Sequence, residues 1–269
     1  MALTLRGVGY RYAGSTEPAL LDIDLDLPDG RVVGLVGASE SGKTTLCLVV
    51  SGLAPRTVGG RIRGTVEFDG ASVDDWPMHR LSQRIGIGFQ NPSTQLSQVS
   101  GTVFEEVAFG PMNLALARDE VLERTWSALA ALRIDGLAER DPRRLSGGQQ
   151  QLVAIAGLLA MRPSHLVLDE PTAQLDPAGT RLVGEAIGRL AADGASILVA
   201  EQKTDLLADV ADDLVVLDGG RVAMRGPAAD LLADAALERL GVAPPASIRL
   251  GRTAEAAGID PAFLAEARS

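Results

Sequence analysis

Eight consecutive residues, Gly37-Ala38-Ser39-Glu40-Ser41-Gly42-Lys43-Thr44, fit the pattern G-x-x-x-x-G-K-[ST] between a β-type run and a helical one. Glycines let such a loop fold into a nest whose N–H groups point at phosphate oxygens, and the helix that follows adds its positive end. Lys43 would supply a point charge to the outer phosphates of a nucleotide. Thr44 would offer a hydroxyl to a Mg²⁺ ion bridging them, and Thr45 adjoins it. Read alone, the octapeptide is also a Gly-Ser turn joining a strand to a helix. Lysine is scarce, however: of 25 cationic residues only Lys43 and Lys203 are lysine, so its presence here points to chemistry. Glu40 stands where a small residue, usually glycine, is expected. Its carboxylate falls within about a Debye length of the bound polyanion and is expected to point outward.

Two further segments carry chemistry. Leu166-Val167-Leu168-Asp169-Glu170 reads as a buried strand ending in two carboxylates, and open α/β sheets bind ligands at such strand ends. Asp169 can hold Mg²⁺ through water, and Glu170 can polarise an attacking water as general base. Alone, Asp-Glu-Pro after a strand is also a polar turn. Leu145-Ser146-Gly147-Gly148-Gln149 places Ser146 as the N-cap of a long helical stretch, where a phosphate could lie against the helix start. All three segments occurring in order in one chain makes coincidence remote.

These residues need a mixed α/β frame. Strand-type runs fall at Leu3–Leu5, Leu21–Leu27, Val32–Val36, Gly64–Phe68, Ile85–Phe89, Leu166–Leu168, Ile197–Ala200, Leu214–Leu217 and Arg221–Met224. The early ones alternate, as half-exposed antiparallel strands do. The later ones are continuously apolar, as parallel strands covered on both faces are. Helical periodicity marks Lys43–Ser51, Asp119–Leu132, Ser146–Ala160, Pro177–Ala192 and Ala228–Leu240. The stretch from Gln90 to Leu145 has much helix and no convincing strand, so it reads as a helical insertion.

The formal charge of −10 argues against gripping a nucleic-acid backbone. The longest uncharged apolar run, Leu152 to Met161, is far shorter than the roughly 18 residues that span a bilayer. No leader is read near the N-terminus, and the single cysteine, Cys47, fits a reducing compartment and a buried packing role. Trp76 and Trp126 are read as packing residues, and the acids at 105–106 and 205–213 as solvated faces.

Taken together, the motifs resemble the nucleotide-binding subunit of ATP-binding-cassette (ABC) proteins from about Leu3 to Leu240. Within that family the chain is most similar to the energy-coupling-factor importers of vitamins and transition metals. The closer match rests on Phe89-Gln90-Asn91-Pro92, Gln95, Thr102-Val103-Phe104-Glu105-Glu106-Val107-Ala108-Phe109-Gly110-Pro111, Asn113 and the tail Pro244-Pro245. The resemblance implies a P-loop NTPase fold with an antiparallel β subdomain, a RecA-like parallel-sheet core and a helical insertion at about 91–150. Residues 241–269 would be a small C-terminal appendage.

By the same resemblance Tyr12 would stack on adenine, an interaction worth roughly 1–3 kcal/mol, although a packed strand residue is the plainer reading. Gln90 would contact Mg²⁺ and the attacking water and connect the nucleotide to the insertion. Asp176 would lie in the loop that communicates across a dimer. Two subunits would face head to tail, each ATP held between one chain's phosphate loop and the other's Ser146-Gly147-Gly148-Gln149. The family normally presents a histidine after strand Ile197–Ala200, and here Glu201-Gln202-Lys203 stands instead. Gln202 can donate a hydrogen bond to the γ-phosphate but cannot take up a proton, so slower hydrolysis is expected unless position alone suffices. An atypical phosphate side beside an intact Ser146 surface points to a heterodimer with a related ATPase, a homodimer being the commoner arrangement. The implied role is an ATPase on the cytoplasmic face of the membrane, peripheral to it and docked on a transmembrane coupling subunit. A soluble non-transport ABC ATPase and a nucleotide-binding partner with little turnover are the competing readings.

Overall fold

The computed structural model describes residues 2–257. The chain opens with β1 (Leu3–Arg11), β2 (Leu20–Leu27), β3 (Val32–Gly37), α1 (Lys43–Val50), α2 (Leu53–Arg56), β4 (Arg61–Phe68), β5 (Ala71–Ser72), α3 (Met78–Ser82) and β6 (Ile85–Gly88). The insertion follows as α4 (Val103–Asn113), α5 (Arg118–Ala131) and α6 (Gly147–Met161). The core then resumes with β7 (His165–Asp169), α7 (Pro177–Ala192), β8 (Ser196–Ala200), α8 (Asp205–Val210), β9 (Asp213–Asp218) and β10 (Arg221–Pro227). Three helices, α9 (Ala228–Ala233), α10 (Ala236–Arg239) and α11 (Ala246–Ala256), close the described chain.

Two sheets result. One is antiparallel in the order β2-β1-β4-β5, and the other runs β10-β9-β3-β8-β7-β6 with β9, β3, β8, β7 and β6 mutually parallel. Strand β3 is buried throughout and divides its side chains by the period-two rule. Val33 and Leu35 join a core shared with the antiparallel sheet and α1, whereas Val32 and Val36 join the core beneath the insertion. The parallel strands thus carry apolar residues on both faces, as their continuous hydrophobic runs predict.

Several boundaries differ from the sequence reading for identifiable reasons. β1 runs on to Arg11 and β4 begins at Arg61, because bulges carry the pairing past the glycines. Gly64, at φ +76°, lies so close to Arg6 that a Cβ would come within 2.4 Å of its carbonyl oxygen. The single helix expected at 228–240 breaks at Asp234, whose backbone is extended and whose Oδ1 accepts from Ala236 N at 2.7 Å.

Of the acids read as solvated faces, Glu105, Asp205, Asp209 and Asp212 are exposed, and several also tie down backbone. Glu105 completes a capping box with Thr102 at the start of α4, and Glu106 accepts from the Ser97 amide and hydroxyl at 2.6 and 2.7 Å. Asp205 accepts from Ala246 N, and Asp212 accepts from Val32 N. Trp76 and Trp126 pack on Phe68 and Phe104, with ring centroids 5.7 and 5.0 Å apart. No helix among the described residues is long and apolar enough to cross a membrane.

Candidate nucleotide site

The phosphate loop sits where β3 hands over to α1. Gly37 is extended and crowded: a Cβ there would lie 2.4 Å from both the Leu217 carbonyl oxygen and Ser41 Oγ. Gly42 takes φ +106° as the N-cap of α1 and offers no side-chain acceptor, so the first-turn amides of that helix remain available to a ligand. By contrast, Thr102, Ser146 and Asp176 each cap the first turn of α4, α6 and α7 with a side-chain oxygen. An uncapped positive helix end facing a cavity favours an anion.

That cavity, of about 500 Å³, is lined by Tyr12, Ala19, Ser39, Glu40, Gly42, Lys43, Thr44, Thr45, Gln90, Glu170 and Gln202. Ten of these are residues the sequence singled out, drawn from strands and loops up to 190 positions apart, Tyr12 to Gln202. Lys43 is buried, and its Nζ donates to the carbonyl oxygens of Gly37 at 2.8 Å and Ala38 at 2.9 Å. Burial pulls its ammonium below the ordinary value, opposed by the carboxylates of Glu170 and Asp169. The Tyr12 hydroxyl lies 2.9 Å from Thr45 Oγ1, and its ring meets Tyr10 edge to face at 5.0 Å. One face of Tyr12 therefore borders the cavity from a braced ring.

Beyond Lys43, Gln90 Nε2 donates to Glu170 Oε2 at 2.7 Å. Glu170 holds φ +49°, a left-handed conformation that costs a residue with a Cβ roughly 1–2 kcal/mol and recurs at functional sites. Gln202 Nε2 reaches Ser39 Oγ at 3.4 Å, so Gln202 touches the phosphate loop itself. Glu40 is exposed, lines the cavity and sits at φ +63°, the conformation that glycine adopts without cost.

Magnesium fits the residues present. Asp169 is buried and accepts a hydrogen bond from Thr44, yet its Oδ1 has no partner, nor has the buried Ser41 Oγ. Burial pushes the Asp169 carboxyl above its usual range, which a nearby cation would reverse. Among the described residues no group of three or more His, Cys, Asp or Glu could hold a metal by itself. A hard cation here would take one carboxylate, a hydroxyl and phosphate oxygens, the ligand set magnesium commonly has.

The Ser146-Gly147-Gly148-Gln149 segment does not line this cavity. Ser146 and Gly147 are exposed at the start of α6, where Ser146 Oγ accepts from Gln149 N and Gln149 Oε1 accepts from Ser146 N. Gly147 abuts Gln174, whose Oε1 would lie 2.4 Å from an added Cβ. Asp176, expected in an inter-subunit loop, caps α7 by accepting from Gly179 N at 2.7 Å.

Sequence reasoning missed Glu201. Its carboxylate is buried and accepts from Thr172 N at 3.1 Å and Thr172 Oγ1 at 2.7 Å, tying the loop after Glu170 to the strand before Gln202. Burial raises its carboxyl, and the Thr172 hydrogen bonds partly offset this. Its position beside Gln202 was the available signal. Cys47 is buried with its thiol pushed well up, as expected of a packing residue.

A parallel sheet with a phosphate nest at the end of β3 and two carboxylates at the end of β7, with β8 between them, defines a P-loop nucleoside-triphosphatase domain. Residues 20–173 match the family model described as ABC transporter. The chain belongs to the ABC transporter ATP-binding family. It is 38% identical over 257 residues to the energy-coupling factor transporter ATP-binding protein EcfA2 of Symbiobacterium thermophilum, covering 93% of this chain and 87% of that protein. Among solved structures it resembles cbiO1 of Clostridium perfringens, described as part of the ABC transporter complex cbiONQ. There the TM-score is 0.76 and identity 32%, with 88% of this chain and 92% of that one covered. It also resembles the ATP-binding cassette MJ0796 in a dimeric post-hydrolysis state bound to ADP and Pi, with TM-score 0.73, identity 26%, and 84% and 98% covered.

Proposed function

We propose that this chain is the ATPase subunit of an energy-coupling-factor-type importer, powering uptake of a vitamin or a transition-metal ion. The observation that carries the reading is the convergence of Lys43, Thr44, Gln90, Glu170 and Gln202 on one cavity at the end of the parallel sheet. Lys43 leaves the Gly37 and Ala38 carbonyls and pairs with the outer phosphates, while the α1 amides bind them from below. Glu170, oriented by the Gln90 amide, takes a proton from water as the water oxygen attacks the γ-phosphorus. The bond from that phosphorus to the bridging oxygen breaks, and ADP and inorganic phosphate leave. Thr44, Asp169 and Gln90 would hold Mg²⁺, which supplies charge neutralisation on the phosphates when bound. Gln202 donates to the γ-phosphate without taking up a proton, so turnover is slow for the family.

Binding of ATP closes two subunits around it, with the partner's surface equivalent to Ser146–Gln149 meeting the phosphates. A related, non-identical ATPase is the favoured partner because the atypical residues Glu40 and Gln202 both lie on the phosphate side. A groove of about 300 Å³ between the Gln90 segment and helices α4 and α6 supports docking of a membrane subunit. Its rim bears Phe109, 43% exposed, and Gln95 ties it to the nucleotide by accepting from Phe89 N at 3.0 Å. The chain would then sit at the cytoplasmic face of the membrane, peripheral to it. Equilibrium binding of a fluorescent ATP analogue, with and without Mg²⁺, tests the reading: Lys43→Ala is expected to abolish binding. Detergent pull-down should recover an integral membrane subunit, and its loss in Phe109→Asp with ATP binding intact is the expected companion result. Undiminished binding by Lys43→Ala contradicts the site.

A further inference from the structure

We propose that the turn at residues 240–246 is a strap that positions both the phosphate loop and the Gln202 loop, making this C-terminal segment part of the nucleotide machinery. The contacts form a closed ring. Ala38 adjoins Ser39, whose hydroxyl meets Gln202 Nε2 at 3.4 Å. Two residues beyond Gln202, the buried Thr204 donates its hydroxyl to the Ala243 carbonyl at 2.8 Å. The ring closes where Gly241 lies against Ala38: a Cβ at Gly241 would come within 3.1 Å of the Ala38 Cβ.

The strap itself is held firmly. Val242 is buried in the larger core, and its amide donates to Leu237 O at 3.2 Å. Pro244 and Pro245 are buried, and Ala246 N donates to Asp205 Oδ1 at 2.7 Å. Gly241 takes φ +73°, which permits both the reversal after α10 and the close approach to the loop. Ala38 is more than a neighbour of the site, since its carbonyl is one of the two acceptors that hold Lys43 Nζ. A displacement of Ala38 therefore moves the phosphate loop, and with it the carbonyl that holds Lys43 before nucleotide binds, while a displacement of Thr204 moves Gln202.

This inference rests on the ATP reading above, and the experiment separates the two. Full-length Gly241→Ala, Ala38→Gly, the double variant and Thr204→Val are compared with the unaltered chain for ATP affinity, single-turnover hydrolysis and thermal unfolding without nucleotide. A shift of a few tenths of an ångström at a positioned group costs several-fold, so Gly241→Ala should weaken ATP binding on the order of five-fold. Ala38→Gly removes the methyl that clashes but leaves the backbone strain at position 241, so the double variant should regain affinity to within about two-fold of Ala38→Gly alone. Thr204→Val should keep affinity and slow hydrolysis roughly five-fold, because it frees only the Gln202 loop. Equal losses in the Gly241→Ala and double variants, or no effect of Gly241→Ala and Thr204→Val, overturn the strap. If Gly241→Ala fails to fold, the Thr204→Val kinetics decide. Failure of the unaltered chain to bind ATP sinks the nucleotide reading, and the strap with it.

Discussion

Glu40 offers the sharpest test of how the phosphate loop handles charge. Its carboxylate is exposed and lines the cavity, so water screens it, and Glu40→Gln removes the charge while keeping the backbone at φ +63°. In water a unit charge one physiological Debye length away, ~8 Å, is worth ~0.5 kcal/mol. Against the two net negative charges of magnesium-bound ATP the repulsion approaches ~1 kcal/mol, or about five-fold in affinity. Glu40→Gln should therefore tighten ATP binding about five-fold at low salt and by little near 1 M salt, where the Debye length falls to about 3 Å. Glu40→Gly should bind equally well. Its relief of left-handed strain, ~1 kcal/mol, is largely offset by the extra freedom glycine gives the unfolded chain. Thermal midpoints of the two variants should therefore lie within a few degrees. Titration calorimetry at roughly 20 mM and roughly 500 mM salt reads the effect. Tightening that is absent at low salt, or that persists unchanged at high salt, refutes the electrostatic reasoning.

Two further outcomes are expected. Gln202→His should accelerate single-turnover hydrolysis about ten-fold with little change in ATP affinity, because it restores a group that can carry a proton; an unchanged rate means that the glutamine amide suffices. His165 is fully buried, and desolvation lowers its imidazole from 6.5 to about 4. The unfolded chain thus binds a proton near pH 6.5 that the folded chain refuses until about pH 4. The stability conferred is fully present above pH 6.5 and is lost as pH falls through that window, on the order of 3 kcal/mol. Urea unfolding of His165→Phe should lose correspondingly less stability between pH 7 and pH 4 than the unaltered chain does, and parallel losses would refute the assignment.

The residues legible in the sequence are those whose chemistry is local. The phosphate loop announces itself because nest, lysine and helix start lie within eight positions, and Asp169–Glu170 because a buried strand ends in charge. The plan of an antiparallel sheet beside a parallel one follows from strands that alternate early and run continuously apolar later. Contacts between distant segments leave no such trace. Glu201 meets Thr172 across 29 positions, and Gly241 meets Ala38 across about 200, through geometry that only the packed sheet creates. Glu105 was legible in principle, since Thr102-Val103-Phe104-Glu105 is a capping-box sequence before an apolar run. The break at Asp234 illustrates the opposite case. An Asp side chain competes for backbone amides, and helical periodicity alone does not register that competition.

The central claim is that ATP is held by Lys43 on one subunit and completed by the Ser146 surface of a second. Light scattering on a Glu170→Gln variant, which should bind ATP without hydrolysing it, tests this directly when the variant is mixed with its partner ATPase, or with itself if no such partner is recovered. Added magnesium-ATP should double the mass, and either Lys43→Ala or Ser146→Arg should prevent the doubling. A mass that stays at one subunit with ATP bound, or that doubles without nucleotide, contradicts the account.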